Sequence, residues 1–338
     1  MHKLSSNKKT IIICASSCLI FVVVFATALM VGKYNVSIKA FFEAITGKDG
    51  YDMERSIIVN LRLPRTIIAA LTGIALSLSG LLYQETFQNK LVSPDLLGVS
   101  SGSGVGAALA IIAGLPAFAV STFAFVFGVG TVLLTLTIAK LFRNRSSLML
   151  VLAGIIVGGL ASAFLSFIKY LADAETTLAS ITFWLMGSFE RSKMTDVYIL
   201  APIVAVCTII ILSISWRINV IALGREEAQT KGINYRAYRI IIIGVATLLT
   251  ASSVAFSGTI GWIGLVVPHI ARLAVGRNTV RTIPLSIAFG SIFMVLTDIM
   301  SRTFTAAEIP ISAITGMFGT VVFIIILIIR RRTINEND

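Results

Sequence analysis

Apolar runs long enough to cross a bilayer recur along almost the whole chain, separated by short polar segments. Ten can be marked, at 11–31, 66–83, 96–113, 117–140, 147–171, 196–215, 238–256, 258–275, 282–301 and 308–329. A hydrocarbon core of roughly 30 Å takes about 20 helical residues to cross. Every backbone polar group inside it must be paired within the protein, which a helix does unaided. The pattern therefore predicts an all-α, polytopic integral membrane protein with about ten transmembrane helices. The run at 258–275 contains Pro268, His269 and Arg272 and predicts a short or broken helix. The longest segments expected outside are 33–65 and 172–195, and neither has the length of a soluble domain. Residues 1–338 thus read as one transmembrane domain, whose longest polar interruption on the expected cytoplasmic side is GREEAQTKGIN at 224–234.

Composition removes the soluble alternative. The 338 residues are 56% hydrophobic and only 13% charged, with a mean hydropathy of +0.92; a soluble surface needs far more charge. The positive-inside rule sets the expected orientation. With both termini in the cytoplasm, 18 of the 28 Lys and Arg residues fall on that side. The net charge of +12 then reflects topology and not a nucleic-acid surface. Lys8 and Lys9 before the first run, with Ala26-Thr27-Ala28 near its end, have the ingredients of a signal peptide, but the apolar stretch continues past that point and reads as a retained anchor. Cys14, Cys18 and Cys207 lie within runs and read as packing residues, with no disulfide framework implied.

Glycines punctuate the runs at helical spacing: Gly98, Gly102 and Gly106; Gly154 and Gly158; and, every third residue, Gly258, Gly261 and Gly264. Such spacing lets helix backbones approach closely in lipid. Charge inside the runs is scarce, with Asp298 as the one acidic candidate. Arg302 follows one turn later and can pair with it near the outer end; a proton-carrying role for Asp298 is the alternative. His269 reads as a hydrogen-bonded structural residue. No cluster of His, Cys, Asp and Glu forms a ligand set for iron, so no metal site is expected. No GxxxxGK[ST] phosphate loop occurs, so the chain supplies no P-loop site for ATP.

Three strings carry a more specific signal. They are LRLPRTIIAALTGIALSLSGLLYQETFQNKLVSPDLLGVSSGSGVGAALA from Leu61 to Ala110; ALGREEAQTKGIN followed by TASSVAFSGTIGWIGLVVPHIARLAVGRN from Thr250 to Asn278; and DIMSRTFTAAEIPISAITGMFGTVVFIIIL from Asp298 to Leu327. In order and spacing they resemble the iron-siderophore, haem and cobalamin permease family of ABC importers, the large ten-helix, vitamin B12 type. The resemblance covers roughly 61 to 330. The family's Asn-Pro-Leu is Asn89-Lys90-Leu91 here, the Gly expected after Glu-Leu-Pro-Val is Ser312, and a common Gly-Ala-Pro is Gly319-Thr320-Val321.

The resemblance implies a division of roles. Residues 216–237 would hold the coupling element that docks on the ATPase, with Gly224, Glu226, Glu227, Ala228 and Gly232 as its signature. Carboxylates are favoured at a helix N-terminus, and Gly232 permits the turn out. Arg62, Arg65 and Arg302 would be exposed at the outer rim, offering their forks to carboxylates of an extracytoplasmic binding protein. The fifth run would line the pathway with a small, weakly polar face of Gly154, Gly158, Gly159, Ser162 and Ser166. Asn89, Leu91, Ser146 and Ser147 would form the cytoplasmic gate.

The function implied is that of a permease subunit importing a ferric siderophore, of hydroxamate type as the narrowest expectation, across a bacterial cytoplasmic membrane. It would pair with a second permease subunit, identical or similar, and work with two ATPase subunits that hold the ATP and Mg, and with a binding protein, free or lipid-anchored. No cofactor is expected on this chain itself. Haem and cobalamin remain alternative cargoes. An ion-coupled secondary transporter is the alternative of a different class.

Overall fold

The computed structural model describes residues 6–142 and 147–335, and among these every regular element is helical. In chain order the helices are α1 (Ser6–Met30), α2 (Ile38–Ile45), α3 (Asp52–Ser56), α4 (Leu63–Thr86), α5 (Val99–Ile112), α6 (Ala117–Leu141), α7 (Ser147–Leu171), α8 (Thr177–Met186), α9 (Met194–Ser213), α10 (Ser215–Ile221), α11 (Arg225–Thr230), α12 (Tyr235–Ser257), α13 (Ile263–Val275), α14 (Thr279–Thr303) and α15 (Ile311–Asn335). A π-helical turn, Ile57–Arg62, joins α3 to α4 in one rod, and a 3₁₀ turn, Pro94–Leu97, leads into α5.

Each of the ten apolar runs contains a helix, but they differ in length. Seven stretches are long and apolar enough to cross a membrane: Thr10–Met30, Asp52–Thr86, Ala117–Leu141, Leu148–Leu171, Met194–Ser213, Tyr235–Ser257 and Thr279–Thr303. The apolar helices Val99–Ile112, Ile263–Val275 and Ile311–Ile326 are shorter. At 1.5 Å per residue, the 14 residues of α5 span about 21 Å, well short of a hydrocarbon core. The expected break at 258–275 lies at its start: Gly258 and Trp262 adopt left-handed backbone angles, φ +71° and +72°, and α13 begins only at Ile263. Besides α11, four helices arise where the hydropathy pattern marks no run: α2 and α3 before the second span, and α8 and α10 after the fifth and sixth. The apolar Ile181 of α8 is buried in a cluster with Val105, Ala108 and Ile168.

The bundle is organised around α4, whose side chains from Pro64 to Thr86 are nearly all buried and which packs on α9, α12, α13 and α14. Two glycine contacts fix how close these helices come. A Cβ on Gly73 would fall 2.1 Å from the Gly290 carbonyl oxygen of α14, and one on Gly80 would fall 2.0 Å from that of Gly264 on α13. On α5, Cβ atoms at Gly102 and Gly106 would strike Thr131 and the Phe123 carbonyl of α6, so the four-residue spacing there serves helix pairing as its sequence predicts. Gly261, by contrast, has nothing near it.

Candidate functional site

Side chains that carry chemistry gather at two opposite ends of α4, and an open face of α7 lies at the side. At the end where α1 and α14 finish, three arginines meet. Arg62 is 6% exposed and donates to the Leu29 carbonyl at 3.0 Å, the Met30 carbonyl at 2.7 Å and the Tyr34 carbonyl. It thereby satisfies the orphan carbonyls that end α1. Arg302 donates to the Ala28 carbonyl at 2.6 Å. Arg65 donates through Nε to Asp298 Oδ1 at 2.6 Å, and through Nη1 and Nη2 to both Glu308 oxygens at 2.8 and 2.9 Å. That second contact is the bidentate fork typical of Arg with a carboxylate.

Two expectations change here. Asp298 and Arg302 do pair, at 3.4 Å, but the shorter bond of Asp298 goes to Arg65. The three arginines are also not exposed rim charges: Arg65 is 8% and Arg302 4% exposed, and each already has partners. Burying a guanidinium without partners is prohibitive, so the fold turns these side chains onto the α1 carbonyls and two carboxylates. Glu308, six residues after Arg302, opens the run expected at 308–329 but lies in the loop before α15; its partner Arg65 is 243 positions away in the chain, so no local pattern signals the pair.

At the other end, α11 projects as one exposed helical stretch. Glu226 and Glu227 lie in its first turn and face outward, while Ala228 is fully buried against the core. Its C-terminus closes as a Schellman motif: the Gly232 N–H donates to the Gln229 carbonyl at 3.0 Å and the Ile233 N–H to the Ala228 carbonyl at 2.9 Å. Gly232 takes φ +72°, the left-handed position such a cap requires. Gly224 precedes α11 with φ +117°, close to the side-chain amide of Gln88. The loop is thus a built, anchored projection.

Beside it lies a second charged cluster that the sequence did not disclose. Glu85, 1% exposed, is a further buried carboxylate besides Asp298. It sits two residues beyond the expected end of its run, and α4 continues through it to Thr86. Lys90 Nζ lies 2.5 Å from its Oε2, and Arg272 Nη1 3.2 Å from its Oε1. The other nitrogen of Arg272 donates to Gln84 Oε1. Burial pulls the Lys90 ammonium below the usual lysine range although Glu85 pulls the other way. Asn89 and Leu91, exposed on either side of Lys90, are joined by a bond from the Leu91 N–H to Asn89 Oδ1 at 2.9 Å. His269 is buried and bonds through Nδ1 to the Leu265 carbonyl at 3.1 Å, with its ring edge-to-face on Phe323.

Of the small residues expected to line one face of α7, Gly159, Ser162 and Ser166 are exposed, whereas Gly154 and Gly158 turn inward. Gly154 packs on the Leu96 backbone and Gly158 on Gly98, both within this chain. Ser162 donates to Ser101 at 3.2 Å. The glycine spacing on α7 therefore serves contact with the start of α5. The open face carries Leu152, Ile155, Ile156, Gly159, Leu160 and Phe164, continued by Ser166, Phe167 and Tyr170. Ser147 begins α7, and Ser146 lies outside the described residues.

A helical bundle wound around one buried span, with an anchored charged projection at one end, has the build of the permease class of ABC importers. The chain belongs to the FecCD transport family, whose model matches residues 19–329. It is 36% identical over 323 residues to the molybdate import system permease protein MolB of Haemophilus influenzae, covering 94% of this chain and 96% of that one. It is 33% identical to the probable iron chelatin transport system permease protein of Helicobacter pylori strain 26695, covering 93% and 96%. A solved inward-facing structure assigned to the metal-chelate type of ABC transporter superposes with a TM-score of 0.85 at 36% identity, covering 93% of this chain and 98% of that one. This chain is accordingly an ABC importer permease, a transport subunit of a family that works with an ATPase and a binding protein.

Proposed function

We propose that this permease carries a ferric siderophore into the cytoplasm of a bacterium, as one of two permease subunits joined to two ATPase subunits that hold ATP and Mg. The observation that supports this cargo is the open face of α7. Its exposed residues are mostly large and apolar, with Gly159, Ser162, Ala163 and Ser166 interspersed, and Lys169, in its last turn, is the sole charged side chain of the helix. A bare ion meeting such a surface would lose hydration without replacement. A metal wrapped in an organic chelator presents its own shell and passes a weakly interacting wall.

Coupling is assigned to α11: Glu226, Glu227 and the exposed edge of the helix meet the ATPase, while buried Ala228 and the Schellman turn at Gly232 transmit its displacement to the bundle. Docking of the binding protein is assigned to the opposite end through Arg65, with Arg62 and Arg302 holding the end of α1 in place behind it. Glu308 is the more exposed of the two Arg65 partners, 17% against 0% for Asp298, and a carboxylate of the docked protein takes its place on the fork. Asn89, Leu91 and the start of α7 are assigned to the gate, with both termini in the cytoplasm.

Molybdate is the second reading, favoured by the 36% identity to the Haemophilus influenzae molybdate permease; haem and cobalamin are the remaining cargoes. An ion-coupled transporter is disfavoured because Asp298 and Glu85 are both held by cations and so lack the free carboxylate such a carrier needs. Cells with and without the gene, supplied in parallel with radiolabelled ferrichrome iron, haem iron and molybdate, test the cargo. Gene-dependent uptake of ferrichrome supports the reading. Uptake of molybdate or haem alone overturns it while leaving the family in place.

A further inference from the structure

The Lys90–Glu85–Arg272 cluster has no place in cargo binding, ATPase docking or binding-protein docking, yet it joins three elements at the coupling end. Glu85 closes α4, Lys90 lies in the turn after it, and Arg272 comes from α13. The turn is held at both its ends. The Asn89 N–H donates to the Gln84 carbonyl at 3.2 Å, and the Gln84 amide donates to the carbonyl of buried Val92 at 3.4 Å. Asn89 and Leu91 are exposed on either side of Lys90, and Gln88, just before them, adopts a left-handed backbone, φ +53°. The contact from this stretch to a buried charge is Lys90 on Glu85, at 2.5 Å.

We infer that Lys90 and Glu85 form an ionic clip that positions the gate turn, and that Arg272, by sharing the Glu85 carboxylate and gripping Gln84, ties that turn to the tilt of α13. The two oxygens of Glu85 are divided between the two cations, Oε1 to Arg272 and Oε2 to Lys90. A movement of α13 away from α4 stretches the Arg272 contact and leaves the carboxylate more dependent on Lys90. A movement of the turn does the reverse. The nearly buried carboxylate cannot lose both partners cheaply, so the turn and α13 move as a unit. Lys90 stands where the resembling family pattern has proline. A proline would stiffen that turn through its ring, whereas this chain fixes it through charge. Lys90 and Glu85 are thus positioning residues for Asn89 and Leu91. The functional half of this inference rests on the transporter reading above; the clip itself does not.

The test uses the complete transporter in lipid nanodiscs and follows hydrogen exchange of the amides at 88–92 in the wild type and in Lys90→Met, Lys90→Arg, Glu85→Gln and the Glu85→Gln/Lys90→Met pair. Loss of one charge-assisted hydrogen bond is expected to speed exchange about tenfold in Lys90→Met. Lys90→Arg restores near-wild-type exchange, and the double variant exchanges no faster than Glu85→Gln alone, because both remove the same bond. Exchange in Lys90→Met equal to wild type, no rescue by Lys90→Arg, or multiplicative effects in the double variant would overturn the clip. Cargo transported per ATP hydrolysed is measured on the same samples and is expected to fall severalfold in Lys90→Met. Altered exchange with an unchanged transport ratio would sink the gating role and leave the clip. A wild-type sample that transports none of the tested cargoes contradicts the cargo reading and leaves the exchange result to decide the clip.

Discussion

Replacing Asp298 by Asn preserves shape while removing one charge from a buried cluster. Asp298 is fully buried and accepts from Arg65 at 2.6 Å, with Arg302 at 3.4 Å on its other oxygen. In Asp298→Asn the amide oxygen can still accept from Arg65, but its NH2 then faces Arg302, setting donor against donor. Breaking a buried pair by removing one partner costs about 3–5 kcal/mol. The lower end applies here, about 3 kcal/mol, because Arg65 keeps Glu308 and Arg302 keeps the Ala28 carbonyl. Glu308→Gln removes the outer carboxylate, which is partly in contact with solvent, and is expected to cost under about 1.5 kcal/mol. Reversible unfolding in mixed micelles by SDS titration, followed by tryptophan fluorescence, gives both values. A loss below about 0.5 kcal/mol for Asp298→Asn, or a larger loss for Glu308→Gln than for Asp298→Asn, would refute the view that this end is held together by buried charge.

Further predictions concern packing, the projecting loop and pH. Gly80→Ala forces a Cβ to within 2.0 Å of the Gly264 carbonyl oxygen and is expected to cost about 3 kcal/mol by the same SDS titration. Gly159→Ala, where nothing lies within 4 Å, is expected to be neutral or slightly stabilising through helix propensity. Gly232→Ala places a Cβ at φ +72° and is expected to fray the end of α11 at a cost of about 1 kcal/mol, read as lower cargo transport per ATP with the protein still in the membrane. Because burial, helped by the nearby Arg272 and Arg277 and opposed by Glu85, holds Lys90 below the usual lysine range, its cation is lost at a lower pH than that of an ordinary lysine. Exchange at 88–92, corrected for the intrinsic pH dependence of amide exchange, should therefore rise below the ordinary lysine value of about 10.4 in the wild type and stay flat in Lys90→Arg.

Much of the architecture is legible because bilayer thickness imposes a length and composition that hydropathy reads directly. The ten runs each contain a helix, and the turn chemistry of Gly224 and Gly232 frames α11. Helix lengths were less legible, since the start of α13 depends on the backbone of Trp262, a residue with no intrinsic preference for positive φ. The cluster around Glu85 was hidden for a different reason. Lys90 is close to it in sequence, but Arg272 is brought in by the packing of α13 on α4, which no local pattern encodes. Gly154 and Gly158 of α7 were placed on the wrong face because a glycine stripe marks close approach without saying to what; here it is to Leu96 and Gly98 of the same chain, while Gly159, Ser162 and Ser166 stay exposed. The arginines were expected to be exposed because the family resemblance assigns them to docking of the binding protein. The carbonyls of α1 and the carboxylates of Asp298 and Glu308 that draw them in are set by tertiary contacts.

The most direct test of the central claim places the permease, its ATPase and its binding protein in proteoliposomes, with ATP and Mg on the side that bears α11 and labelled ferrichrome on the other. The account predicts accumulation of the label that requires ATP and is abolished when Glu226 and Glu227 are both changed to Ala in normally assembled complexes. Accumulation driven by an ion gradient without ATP, or undiminished in the double variant, would contradict it.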